Sequence, residues 1–191
     1  MIPLEDAQSH VMKNIKTLKD ENVHLLQGRN RAITEPILSN ESIPPFDNTA
    51  VDGYAVKAID TKGATQETPT SLTVLETIAA GKPPTFAIQS GECSKIMTGA
   101  PIPDGADAVV MVERTKQQEN ESVVAIEEEV SKGQHIRRSG EDLEPGDLVI
   151  PQGTVLNAAH LGLLASLGIY QITTVRTPTV GVFSTGDELI E

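Results

Sequence analysis

Near the start of the chain, apolar residues fall at Leu4, Ala7, Val11, Ile15 and Leu18, steps of three and four that predict an amphipathic helix. Pro3 suits a first helical turn, and Glu5 and Asp6 stand where the helix dipole favours acids. A stripe of this kind has to pack on something. A second helix is expected to include residues 27–33. The period then changes: β-branched, apolar runs predict strands at 71–78, 94–97, 108–113 and 123–126, separated by Gly, Pro and charged turns. A further strand at 148–150 precedes a helix with Asn157 as its N-cap and Gly168 as its stop. Strands at 169–175 and 179–183 flank Pro178.

Between the helical opening and the strands, residues 35–52 are rich in turns. Pro36, Pro44 and Pro45 exclude continuous helix, and the Asp, Asn and Gly residues that follow supply turn chemistry, so a domain boundary is expected there. At the other end, an apolar strand running into Ser184-Thr185-Gly186-Asp187-Glu188 reads as the opening of a βα unit. Such a unit needs a crossover helix and a next strand. The expectation is a longer parent protein.

Composition narrows the chemistry. Of 191 residues 38% are apolar but only 3% aromatic, with no Trp, which predicts an aliphatic core and argues against stacking platforms for bases. The formal net charge of -12 opposes nucleic-acid binding, although local Arg, Lys and backbone N–H groups can still hold an anion. Cys93, the one cysteine, cannot form an intramolecular disulfide, and with His10, His24, His135 and His160 it shows no zinc spacing. It has no evident His partner to activate it and reads as structural; His135 reads as a turn histidine. No basic-then-apolar leader and no run of about 18 apolar residues occurs, so a cytoplasmic protein without membrane contact is expected.

Four short segments share one grammar: 47–54, 98–101, 137–142 and 184–188 each join Gly to hydroxyls or carboxylates. Gly permits close backbone approach, hydroxyls and N–H groups hold anionic oxygens, and carboxylates attract a divalent cation, a combination that suits phosphate with magnesium. Singly, each fits an ordinary turn. Arg137 and Arg138 beside Glu141 and Asp142 read either as a surface ion-pair network or as a phosphate clamp.

In order along the chain, the segments 45–55, 96–101, 108–111, 136–142, 165–168 and 183–189 resemble the molybdopterin molybdenumtransferase family, to which the gephyrin E domain belongs. Thr49 and Val51 stand where many relatives have Ser and Met, keeping a hydroxyl and an apolar side chain. The resemblance covers the whole chain and implies an α+β fold. Residues 1–19 would be a helix packing on a molybdopterin-binding domain, 20–40 with 147–176 a small split domain, 41–146 an inserted β-rich domain, and 177–191 the start of the three-layer α/β molybdopterin-binding domain.

That resemblance also implies a function: molybdenum cofactor biosynthesis, with molybdate inserted into adenylylated molybdopterin and AMP released with the help of Mg2+. It maps catalytic and metal-organising roles onto Asp52, Asp142 and Glu188, and substrate binding onto Thr98, Arg137, Ser184 and Thr185. It implies a homodimer with a composite active site, and a molybdopterin adenylyltransferase as donor of the intermediate. The part present here is expected to be inactive alone. The competing reading is a noncatalytic dimeric scaffold of the same family.

Overall fold

The computed structural model describes residues 2–117, 122–184 and 186. They divide into two compact units, Asn40–Pro145 and a split unit of Met1–Ser39 with Gly146–Glu191.

The split unit begins with helix α1 (Leu4–Asn14), which carries Glu5 and Asp6 in its first turn and Lys13 in its last, as the dipole favours. None of its residues is buried, and Leu4, Val11 and Met12 stand open. Strand β1 (Asp20–His24) follows, a strand the residue pattern does not announce because only Val23 of it is buried. The helix expected over 27–33 is absent. A 3-10 turn at Leu25–Gly28 occupies its beginning, and Asn30 in the left-handed region (φ 62°) ends helical continuation. Ala32 and Ile33 then bridge Val155 and Thr174 as extended backbone. Strand β2 (Ile37–Leu38) completes the first half.

The continuous unit holds β3 (Asn48–Thr49), β4 (Gly53–Val56), β5 (Thr70–Ile78), β6 (Glu92–Ile96), β7 (Ala108–Met111), β8 (Thr115–Gln117), β9 (Val123–Ile126) and β10 (Ile136–Arg137). Six of these form one sheet in the order β7-β4-β6-β5-β9-β8, antiparallel throughout except for β5 beside β6. Alternation along the strands divides its apolar residues between two clusters. Tyr54, Val56, Leu72, Cys93, Val110, Val124 and Ile126 meet in one, while Ala55, Ile78, Ile88, Ile96, Ala100 and Val109 meet in the other. Gly53 is required where it is: a Cβ there would lie 2.0 Å from the Val110 carbonyl oxygen on the paired strand.

Back in the split unit, β11 (Leu148–Ile150) pairs with β2, and helix α2 (Ala158–Ser166) leads to β12 (Gln171–Val175), antiparallel to β1 from Asp20↔Val175 to His24↔Gln171. The predicted cap forms: Asn157 Oδ1 accepts the His160 N–H at 3.0 Å, and His160 Nδ1 accepts the Asn157 N–H at 3.3 Å. Gly168, at φ 70°, closes the helix by donating to the Ala165 carbonyl. Val23, Leu25, Ile33, Ile150, Leu156, Leu161, Leu164 and Ile172 make this unit's core. The strand expected at 179–183 does not form. A strand needs a hydrogen-bonding neighbour, and among the described residues this segment has none, with Val182 and Phe183 fully open.

Mixed helix and strand content places the chain in the α+β class. No helix among the described residues is long and apolar enough to cross a membrane.

Candidate functional site

Two residues organise the site. Strand β3 is short, yet both its edges are used. On one edge Thr49 stands opposite Ile136 and Asn48 opposite Arg137 of β10. On the other, the Thr49 carbonyl accepts the Gly99 N–H at 2.9 Å, the Thr49 N–H donates to the Ala100 carbonyl at 3.1 Å, and Asn48 bridges Pro101. Both side chains are buried and satisfied locally. The Asn48 amide donates to the Phe46 carbonyl, while the Thr49 hydroxyl donates to the Val51 carbonyl at 2.7 Å and accepts the Val51 N–H. Three of the four segments singled out in the sequence therefore meet on one strand.

Beyond β3 the chain turns at Asp52, whose carbonyl accepts the Val112 N–H at 3.0 Å. The Thr98 backbone N–H and hydroxyl both donate to Asp52 Oδ1, each at 2.7 Å, and Oδ2 carries no bond among the described residues. The backbone bond first, then the hydroxyl, hold the Asp52 carboxyl below its ordinary range. Thr98 can do this because Gly99, at φ 81°, lets the chain double back, with the Ala100 N–H donating to the Met97 carbonyl.

Arg137 and Arg138 go to different carboxylates. Arg137 pairs with Asp142 Oδ2 at 2.5 Å, and Oδ1 carries no bond among the described residues. Arg138 reaches back 91 residues to Asp47 Oδ2, while its backbone N–H donates to Glu141. The Ser139 N–H also donates to Asp47, and this bond, ahead of the Arg138 guanidinium, keeps the Asp47 carboxyl below its ordinary range. The 138–142 turn is fixed to the chain's entry into the unit, the Gly140 N–H donating to the Pro44 carbonyl and the Asp142 N–H to the Ile43 carbonyl at 2.8 Å. Arg137 and Asp142 remain about half exposed, so their pair adds little stability, and the guanidinium keeps further N–H donors for an incoming anion.

Asp47 and Asn48 belong to this framework although neither was given a site role, and Arg138, read as half of a possible phosphate clamp, is ion-paired to Asp47. Nothing local marks Asp47, because its partners lie some ninety positions away. Ser184 is exposed in the split unit, and Thr185 and Glu188 lie outside the described residues. Among the described residues no three His, Cys, Asp or Glu side chains gather to hold a metal ion. Cys93 is buried in β6, and burial pushes its thiol up to about 12, so it stays protonated. His135 takes the left-handed conformation (φ 59°), and its carbonyl accepts the Ala50 N–H.

The result is a rigid backbone junction that presents carboxylate oxygens, a hydroxyl and a guanidinium to solvent. Hydroxyl and guanidinium donors of this kind can hold an oxyanion.

Comparison with known proteins identifies the family. The family model described as MoeA N-terminal region (domain I and II) matches residues 2–168. The protein named molybdopterin molybdenumtransferase 2 of Mycobacterium tuberculosis (strain ATCC 25618 / H37Rv) is 39% identical over 189 residues, covering 99% of this chain and 46% of the relative. The molybdopterin molybdenumtransferase of Haemophilus influenzae is 39% identical over 192 residues, 100% of this chain and 46% of the relative. A crystal structure of the molybdopterin biosynthesis moeA protein from Pyrococcus horikoshii OT3 superposes with a TM-score of 0.82 at 34% identity, over 92% of this chain and 46% of that one. The chain thus spans about half the length of these relatives, and it belongs to the MoeA family, whose N-terminal region it carries.

Proposed function

We propose that the chain acts in molybdenum cofactor biosynthesis, as the N-terminal part of an enzyme that inserts molybdate into adenylylated molybdopterin and releases AMP. The observation that carries this reading is the junction on β3, which fixes the Asp52–Thr98 pair and the Arg137–Asp142 pair within one unit. Relatives named for molybdopterin molybdenum transfer support the substrate class.

In this reading Arg137 and the Thr98 hydroxyl hold anionic oxygens of molybdate or phosphate, and the donors around Asp52 and Asp142 keep both carboxylates oriented. Asp52 Oδ2 and Asp142 Oδ1, unengaged among the described residues, are hard oxygens that would hold magnesium, with Glu188 as the further ligand. When bound, that ion would neutralise charge on the phosphate oxygens. Ser184 and Thr185 contribute further donors to the substrate. The protein is a cytoplasmic homodimer with a composite active site, supplied by a molybdopterin adenylyltransferase. Residues 41–146 form its inserted β-rich domain, 20–40 with 147–176 its small split domain, 1–19 a helix packing on the molybdopterin-binding domain, and 177–191 that domain's beginning.

AMP release from adenylylated molybdopterin, followed with magnesium and with or without molybdate, tests the reading in the full-length parent. Asp142→Asn should lower molybdate-dependent release by about a hundredfold, and the 191-residue chain alone should show none. A parent that releases no AMP where a relative does would sink the proposal. The second reading, a noncatalytic dimeric scaffold, is favoured by one feature, the open apolar stripe of α1. It predicts dimerisation and partner binding that are indifferent to Asp142→Asn.

A further inference from the structure

The split unit carries a row of cations for which its packing gives no reason. Beyond the last pair of the β1–β12 ladder, Asp20↔Val175, the Arg176 N–H donates to the Lys19 carbonyl at 3.0 Å, so Lys19 and Arg176 stand opposite each other. On the other edge of β12 the Val175 N–H donates to the Ala32 carbonyl and Ile33 bridges Thr174, a register that sets Arg31 alongside Arg176. Lys19, Arg176 and Arg31 thus lie side by side across three adjacent stretches of chain, on one face. Like charges directly opposite each other weaken a sheet. Three of them stand together here, in a chain whose net charge is -12.

Little in the protein answers them. The Arg31 side chain, only 13% exposed, donates through Nε and Nη2 to the Val175 carbonyl at 3.1 and 3.0 Å, and through Nη2 to Glu21. These bonds fix the guanidinium, and its Nη1 carries none among the described residues. Arg176 and Lys19 are exposed and make no ion pair among the described residues. Asp20, next in sequence to Lys19, belongs to the opposite face and lines a different cavity with Thr17 and Gln152. Three cations against the one carboxylate of Glu21 leave two positive charges unanswered. Against the row lies a cavity of about 280 Å³, lined by Arg31, Arg176, Asn30 and Thr177, with Val155 and Pro178 on its apolar side. That is small for a drug-sized ligand and ample for an oxyanion.

We propose that this cavity binds a tetrahedral oxyanion of the phosphate class, either free or as the head of a small organic phosphate. Arg31 and Arg176 offer planar forks of donors that match pairs of phosphate oxygens, and Lys19 adds a third charge. A dianion balances the two unanswered charges, which a single carboxylate does not. A nucleic-acid backbone would meet the negative field of the whole chain, whereas a small anion meets only the row. The site uses nothing of the β3 junction, since all its residues belong to the split unit.

Amide chemical shifts of the 15N-labelled 191-residue chain, titrated at fixed pH and ionic strength with inorganic phosphate, glycerol 3-phosphate, acetate and chloride, provide the test. Phosphate should shift Lys19, Arg31, Arg176 and Thr177 saturably, and acetate and chloride should not. Arg176→Gln should weaken phosphate about tenfold, as loss of a charge-assisted partner does, and Lys19→Gln a few-fold. Neither should lower the melting temperature without phosphate, because each relieves repulsion within the row. Lys62→Gln, in the continuous unit, should leave phosphate affinity unchanged. Tighter binding of glycerol 3-phosphate with a new shift at Val155 would name the organic phosphate as the ligand, and equal affinity the free ion. Shifts that fail to saturate, that chloride or acetate reproduces at the same concentrations, or that persist undiminished in Arg176→Gln would each overturn the assignment.

Discussion

The two units solve the same packing problem with different chain economies. The continuous unit draws its core from residues 40–145 alone, around one six-stranded sheet. The split unit assembles a single apolar cluster from two stretches more than a hundred positions apart, with two-stranded pieces of sheet and one capped helix. All the polar geometry of the β3 junction lies in the continuous unit. The paired candidate residues of that junction sit where the backbone is most heavily cross-connected.

If that contrast is real, each core should carry its own melting transition. Leu164→Ala in the split unit and Ile126→Ala in the continuous one both empty fully buried positions and should each cost about 2 to 5 kcal/mol. Calorimetry should show each substitution lowering one transition and sparing the other. Two transitions that fall together in both variants would erase the distinction. A smaller effect sharpens it: Asn157→Ala removes the capping box of α2 and should cost about 1 kcal/mol, confined to the split unit's transition. Hydrogen exchange at the first turn of α2 would report this even where melting does not resolve it.

The smallest effect probes the site itself. Because Thr98 holds the Asp52 carboxyl below its ordinary value of 3.8, the stability this contact contributes is present above that value and disappears as pH falls through the lowered one. Thr98→Ala keeps the backbone donor but removes the hydroxyl, so the Asp52 carboxyl, followed by 13C NMR, should titrate closer to 3.8 without reaching it. An unchanged titration would show that the hydroxyl has no part in tuning this carboxylate.

Legibility in the sequence follows the same divide. Strands with two buried faces, such as 123–126, and the Asn157 cap could be read directly, because their signals are local. Strand β1 could not, since four of its five residues are exposed and only pairing with β12 makes it a strand. The helix expected at 27–33 failed because Asn30 adopts a left-handed turn and because Ala32 and Ile33 are drawn into bridges with Val155 and Thr174. In the site, Asp52, Thr98, Arg137 and Asp142 were visible as members of motifs. Their pairing was not: Asp52 meets Thr98 across 46 positions, and Asp47 meets Arg138 across 91.

One detail of the backbone bears on how such a molecule could arise. The chain enters and leaves the continuous unit side by side, Ile43 and Leu143 exchanging backbone hydrogen bonds, just as Ser39 does with Gly146 and Asp147 in the split unit. A segment whose two ends are neighbours can be gained, lost or transplanted by recombination with little disturbance to its host. The whole β-sheet unit, with the junction it carries, is in that sense a portable cassette, and grafting residues 40–145 onto the tip of a foreign hairpin is the natural way to use it.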